Sequence, residues 1–174
     1  MEQELLTRLE STISQIDDYI ASNELDKAIK LLFETIREYP QYGKAYNYLG
    51  WIYDAKQRRY NEAEILYKKC IELMPEYSAV YFNYLYLLNL FQRGEDAKQI
   101  IDILNRMINI NRYRLLKEWA FMLEYTGCLD EAMSKQKEAF LSAVSNVEIE
   151  EAQKDMARIN RKIIFLKNEI QNEL

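Results

Sequence analysis

Histidine is absent from the 174-residue chain, which removes the commonest general base and the commonest metal ligand together. Cysteine occurs only as Cys70 and Cys128, without the paired spacing of a zinc or redox motif. Both are expected to be free thiols in a reducing compartment. Four glycines and two prolines are too few for the turns of a β-sandwich or barrel. Helix formers dominate, so an all-α fold is expected. The net charge of −5 repels phosphate backbones, and no Lys/Arg-rich block offsets it, so nucleic acid is not an expected partner. The uncharged run Ser78 to Gln92 contains Asn83 and Asn89 and is too short to span a bilayer, so no membrane insertion is expected. Glu2 and Glu4 lie where a signal peptide would be basic, which suggests a cytoplasmic protein.

Chemistry-bearing motifs are equally sparse. Neither a Gly-rich phosphate loop nor a G-x-S-x-G elbow occurs. The carboxylate pairs Asp17-Asp18 and Glu150-Glu151 read as solvated helix surface. Cys70 falls at a packed helix position, and Cys128 in a turn has no neighbouring base or cation to activate it. No catalytic residue, metal site or cofactor is expected, and the chain does not read as an enzyme.

What the sequence does contain is a repeat. Ala28, Ala63, Ala97 and Ala132 recur at spacings of 35, 34 and 35 residues. Pro40 and Pro75 are also 35 apart, each where a helix should stop. Around the alanines, large residues stand three and four apart, one apolar stripe per helix. Four helix pairs follow: 8–22 with 26–38, 43–57 with 61–73, 78–91 with 95–109, and 112–126 with 130–143.

In the second unit, Tyr46, Leu49, Gly50 and Tyr53 on one helix precede Ala63, Tyr67, Cys70 and Pro75. The fourth unit shows Leu116, Trp119, Ala120, Leu123, Gly127, Ala132 and Ala139. These patterns resemble the tetratricopeptide repeat (TPR) family, whose unit pairs antiparallel helices A and B over about 34 residues. The second unit carries one extra residue, expected in the turn around Gln57 to Arg59. The third unit's turn glycine, Gly94, is displaced, and the first unit is the most degenerate. The resemblance implies a right-handed superhelical α-solenoid of four pairs, because one pair cannot bury its own stripe. It covers about residues 8 to 143.

Residues 1–145 are therefore expected to form the repeat domain, and 146–174 a long amphipathic capping or association helix. Ser145-Asn146 offers its N-cap. Its apolar residues Ile149, Ala152, Met156, Ile159, Ile163, Leu166 and Ile170 alternate spacings of three and four, the pattern of a coiled-coil seam. At 1.5 Å per residue the helix would span about 40 Å, roughly twice a repeat helix. It could solvate the last repeat, or overhang it and pair with another chain, making a homodimer through the terminal helices one outcome.

The resemblance also implies where a ligand would sit, since A helices line the concave face in this family. The inward positions include Lys44, Asn47, Tyr48 and Trp51 in unit two, and Phe82, Asn83, Tyr86 and Asn89 in unit three. Arg114, Lys117, Phe121 and Tyr125 stand there in unit four. Trp51, Tyr86 and Phe121 share one equivalent position, 35 residues apart. Aromatic faces beside asparagine amides suit a peptide, and Lys44, Arg114 and Lys117 would favour one of some acidic character. The family's two-carboxylate clamp is not reproduced, because Trp51 and Glu118 stand where Asn and Arg belong. The implied function is a protein-interaction scaffold or adaptor binding a peptide or helical segment of a partner. The alternatives are a cytosolic chaperone or assembly factor for one client, and a structural subunit of a larger complex.

Overall fold

The computed structural model describes residues 2–172, with side chains from 3 to 169. All of its regular structure is helical, with no strand among the described residues. In chain order the helices are α1 (Glu2–Ala21), α2 (Leu25–Glu38), α3 (Gly43–Trp51), α4 (Tyr60–Leu73), α5 (Ser78–Leu90), α6 (Gly94–Arg106), α7 (Arg112–Tyr125), α8 (Leu129–Ser142) and α9 (Asn146–Asn172). With the π turn 52–56 counted as the end of the second A helix, the expected boundaries hold within three residues, with the exception of α1, which begins at Glu2 rather than residue 8. Nothing in its first turns breaks a helix, although Leu5 and Leu6 stay exposed there. Helix α6 stops at Arg106, before the expected residue 109. Met107 turns extended and Asn109 takes a positive φ of 57°.

The periodicity of the sequence has a backbone counterpart. Asn23, Arg58, Gln92 and Gly127 have φ of 58°, 56°, 53° and 86°, and each precedes a repeat alanine by five residues. This left-handed residue reverses the chain between helix A and helix B. In the third unit Gln92 fills the turn position from which Gly94 is displaced. Gly94 instead opens α6, where a Cβ would lie 3.0 Å from Thr126 Cγ2. Ala28, Ala63, Ala97 and Ala132 are all fully buried.

The extra residue of the second unit is not in the turn. Ile52–Lys56 form a π-helical turn that continues α3, closed by Gln57 N–H donating to Ile52 O at 3.2 Å. Inserting one residue into a helix widens one turn from four to five residues and leaves both flanking faces in register. Prolines follow the first two B helices, and each proline carbonyl finds a donor six residues later. Tyr46 OH donates to Pro40 O at 2.9 Å, and Tyr81 OH donates to Pro75 O at 2.9 Å.

The chain forms two compact units, Met1–Tyr84 and Leu85–Leu174, divided within α5. In the first, Ile16, Leu32, Leu49, Ile52 and Tyr67 are fully buried side chains. Cys70 is also buried, which pushes its thiol up to about 12, while Cys128 is exposed. In the second unit, Leu85, Leu87, Leu88, Ile101, Leu104 and Leu115 fill the core. There α9 packs on α7 and α8, and Tyr113, Leu116, Ala139 and Ala152 form one cluster backed by Phe140 and Ala143.

Helix α9 starts with a reciprocal cap. Glu148 N–H donates to Ser145 Oγ at 3.2 Å, and Ser145 N–H donates to Glu148 Oε2 at 3.2 Å. Ala152 and Ile159 are fully buried, and Ile149, Met156 and Ile163 are half-buried. The covered part of the seam ends there. Leu166 is exposed together with Ile164 and Phe165, and the side chain of Ile170 lies outside the described residues.

Candidate functional site

In the first unit a cavity of about 290 Å³ opens between α1, α3 and the start of α5, lined by Asp17, Ile20, Asn47, Tyr48, Trp51, Tyr77, Ala79 and Asn83. One turn of helix separates Asn47 from Trp51, so both side chains leave the same face of α3. Asn83 Nδ2 donates to Asn47 Oδ1 at 3.0 Å, and this amide pair fixes the floor between two A helices. Tyr48 OH donates to Asp17 Oδ2 at 3.2 Å. Burial raises the pKa of Tyr48, and the nearby charge of Asp17 raises it further. Burial likewise raises Tyr77, so both phenols stay protonated donors. Asp17 is the one charged residue lining this cavity.

The second unit holds a cavity of about 360 Å³ lined by Tyr86, Asn89, Leu90, Gln92, Lys117, Glu118, Phe121, Asp155 and Arg158. Helix α9 supplies its far wall. Asn89 is buried, and its Nδ2 donates to Glu118 O at 3.2 Å and to Glu118 Oε2 at 2.7 Å. Its Oδ1 accepts from Tyr125 OH at 3.2 Å. Burial pushes the Glu118 carboxyl above its ordinary range, against the hydrogen bond from Asn89. Lys117 Nζ donates to Glu151 Oε2 at 2.5 Å, and Arg158 pairs with Glu124 and Asp155. Phe121 meets Tyr125 edge to face, with ring centroids 5.7 Å apart.

Of the residues expected at the groove, Asn47, Tyr48, Trp51 and Asn83 meet in the first cavity. Tyr86, Asn89, Lys117 and Phe121 meet in the second. Lys44, Phe82, Arg114 and Tyr125 line neither. Phe82 is a core residue at 4% exposure, so its ring is not offered to a ligand. Lys44 stands over the Tyr77 ring, and Lys117 is neutralised by Glu151, which weakens the expected preference for an acidic ligand. Ile20, Tyr77, Asp155 and Arg158 were not expected at the site, and Asp17, expected only as solvated helix surface, lines the first cavity. They come from the neighbouring helices that wall each A-helix face, and a repeat alignment marks positions within a unit but not its walls.

Of the expected association helix, Ile149, Met156, Ile159 and Ile163 are engaged in packing within the second unit, and Leu166 remains uncovered. Among the described residues, no group of three or more Cys, Asp or Glu could hold a metal ion. No described helix is long and apolar enough to cross a membrane.

No family model matches the sequence, and no curated protein matches it. Solved structures do. PilF of Pseudomonas aeruginosa superposes on 88% of this chain and 68% of its own, with a TM-score of 0.77 and 16% identity. MamA of Desulfovibrio magneticus RS-1, from residue 41 onward, covers 92% of this chain and 95% of its own, with a TM-score of 0.69 and 12% identity. YrrB, a TPR protein with an unusual peptide-binding site, covers 87% and 75%, with a TM-score of 0.68 and 18% identity. With helix pairs repeating every 34 or 35 residues, a buried alanine in each and a left-handed reversal five residues before it, the chain has the tetratricopeptide-repeat fold.

Proposed function

We propose that this chain is a non-catalytic protein-interaction module that holds a segment of a partner polypeptide against its A helices. The observation that carries this reading is the register of Trp51, Tyr86 and Phe121. Each stands at the same place in its repeat, each lines a cavity, and Tyr86 and Phe121 keep 51% and 41% of their surface exposed. The fold's own core does not need an aromatic there. Large rigid rings lose little side-chain entropy on contact and commonly anchor interfaces. The similarity to YrrB, a TPR protein with a peptide-binding site, supports the same class of function. A displayed library of random linear peptides tests it. Clones that bind the full chain and lose binding to Trp51→Ala or to Phe121→Ala support the reading. Clones indifferent to both substitutions place recognition elsewhere and overturn it.

A second reading, as a subunit joined to another chain through its terminal helix, rests on the far end of α9. Ile164, Phe165 and Leu166 are 48%, 63% and 50% exposed, where the apolar seam continues beyond the residues that pack on α7 and α8. Such a run is unusual on a helix whose only role is to solvate the last repeat.

A further inference from the structure

We infer that the cavity of the first unit takes the cationic side chain of a lysine or arginine from the partner, an inference that rests on the interaction-module reading above. Charge decides the sign. Asp17 is the one ionisable carboxylate in the lining, and no lysine or arginine lines the cavity. Among the described residues none forms an ion pair with Asp17, whose Oδ2 accepts only the neutral hydroxyl of Tyr48. An anion placed here would meet that carboxylate and find no cation to answer it. A purely apolar group would strip water from Asp17 without replacing it.

The walls suit the rest of such a side chain. Ile20 and the rings of Tyr48, Trp51 and Tyr77 offer apolar surface to the methylene stem, and an aromatic face attracts the charged tip. Two of these rings already lie beside a lysine of the chain itself. Lys56 Nζ lies 5.4 Å from the centroid of Trp51, and Lys44 Nζ 5.9 Å from that of Tyr77, yet neither lysine lines the cavity. The cavity interior therefore combines aromatic faces and a carboxylate with no cation of its own. Its volume of about 290 Å³ falls just under the range of about 300–1,000 Å³ typical of small-molecule clefts, a size for one side chain rather than a cofactor. The Asn47–Asn83 amide pair, held at 3.0 Å, keeps the two A helices at a fixed separation around it.

The test uses the full chain and three probes: N-acetyl-arginine amide, N-acetyl-lysine amide and the neutral N-acetyl-norleucine amide. Binding is read from the Trp51 indole N–H in a heteronuclear NMR titration, with Trp119 as internal reference. Saturable shifts are expected for the two cationic amides, with norleucine about tenfold weaker. Asp17→Asn, which retains an acceptor for Tyr48, should weaken the arginine probe about tenfold. Asp18→Asn makes the same charge change one residue away, outside the cavity, and should not. Equal binding of norleucine, an unchanged Asp17→Asn affinity, or no saturable shift from any probe overturns the inference. Equal norleucine binding would leave the peptide-binding module standing. Failure of the peptide library with intact cation binding would remove the module and keep the cavity's specificity.

Discussion

The hydroxyl of Tyr67 donates to Asp54 Oδ2 at 3.2 Å inside the second helix pair. Asp54 sits on the π turn Ile52–Lys56 and is 5% exposed, and Tyr67 is fully buried. Widening that turn carries the carboxylate inward to a ring on helix B. Burial pushes the Asp54 carboxyl above its ordinary value, and the bond from Tyr67 offsets only part of the rise. A folded pKa above the unfolded one means that ionisation of Asp54 opposes folding. The stabilisation by the protonated form is complete below the unfolded pKa, about 4, and is lost as pH rises through the folded pKa. Asp54→Asn is therefore expected to melt above the parent chain at pH 7. Its advantage should shrink as pH falls towards about 4. Tyr67→Phe should cost about 1–3 kcal/mol at pH 7 by leaving the carboxylate buried and unpartnered. A lower melting point for Asp54→Asn at pH 7 would contradict the account.

Close approach within the same pair makes a separate prediction. A Cβ added at Gly50 would lie 2.8 Å from Tyr67 Cε1 and 3.4 Å from Ala63 O. Tyr67 is fully buried. Alanine gains about 1 kcal/mol of helix propensity over glycine, but overpacking costs about 1–3 kcal/mol. Gly50→Ala should thus be net destabilising, and Ala63→Leu more so. At Gly94 the obstacle is one methyl of an exposed Thr126 side chain at 3.0 Å, a side chain held by Oγ1 donating to Met122 O and Leu123 O. Gly94→Ala should therefore cost less than Gly50→Ala. Chemical denaturation of the three variants checks the ranking.

The reversal positions give opposite signs at equivalent sites. Arg58 and Gln92 adopt positive φ without being glycine, a conformation that an L side chain disfavours by about 1 kcal/mol or more. Arg58→Gly and Gln92→Gly should each gain up to about 1 kcal/mol, after the larger unfolded-state entropy of glycine is subtracted. Gly127→Ala should lose a similar amount, although a Cβ there meets nothing within 4 Å. Only backbone conformation separates these outcomes, and urea midpoints measure it.

The helix pairs were legible because alanine spacing and apolar stripes are local, periodic signals. The left-handed residues share that period, yet only Gly127 and, less strongly, Asn23 announce themselves by type, since Arg58 and Gln92 are ordinary side chains. The extra residue in unit two could be counted, but it was expected in the turn around Gln57 to Arg59, whereas it widens the helix at Ile52–Lys56. Nothing local distinguishes a longer turn from a π turn until Tyr67 supplies a partner for Asp54. At the candidate site, the outward rings of Tyr86 and Phe121 followed from repeat register. Phe82 did not, because one residue of phase on an A helix separates groove from core. Asp17 and Arg158 are brought to the cavities by helices adjacent in space, a tertiary fact that periodicity cannot encode.

Helix α9 is tied to the second unit by a buried acid. Glu124 is nearly fully buried, and burial alone would raise its pKa. Hydrogen bonds from Arg158 and Lys162 outweigh that and hold it below the ordinary range. A lowered folded pKa contributes stability above the unfolded value of about 4.3, which is lost as pH falls through the folded pKa. Arg158→Met should cost about 2 kcal/mol at pH 7, less at pH 3. Truncation after Ser145 should expose Tyr113 and Leu116 and cause aggregation. In sedimentation, a dimer of the full chain that Leu166→Glu dissociates would support association through the distal seam. A monomer at every concentration, for both chains, would exclude self-pairing there.

Trp51 decides between a binding surface and a structural ring. Its indole is half-buried, lines the first cavity, and carries Lys56 over one face. The fully buried core residues around it are Leu49 and Ile52, one on each side along the helix, so the fold's packing does not run through Trp51. Trp51→Ala should then lower the melting temperature only slightly, by the loss of partial burial and a surface cation–π contact of about 0.5–1 kcal/mol. Against a peptide selected on the parent chain, the same substitution should cost about 2 kcal/mol or more, the scale of an interface anchor. Trp51→Phe keeps an aromatic face with a weaker quadrupole and should fall between the two. The measurement must be paired, with affinity by calorimetry and melting by circular dichroism on the same preparations. A large drop in melting temperature with unchanged peptide affinity would make Trp51 a structural residue and remove the first unit from the binding surface. Loss of affinity with a nearly unchanged melting temperature is the outcome that the half-buried ring, its place in the cavity and its register with Tyr86 and Phe121 all require.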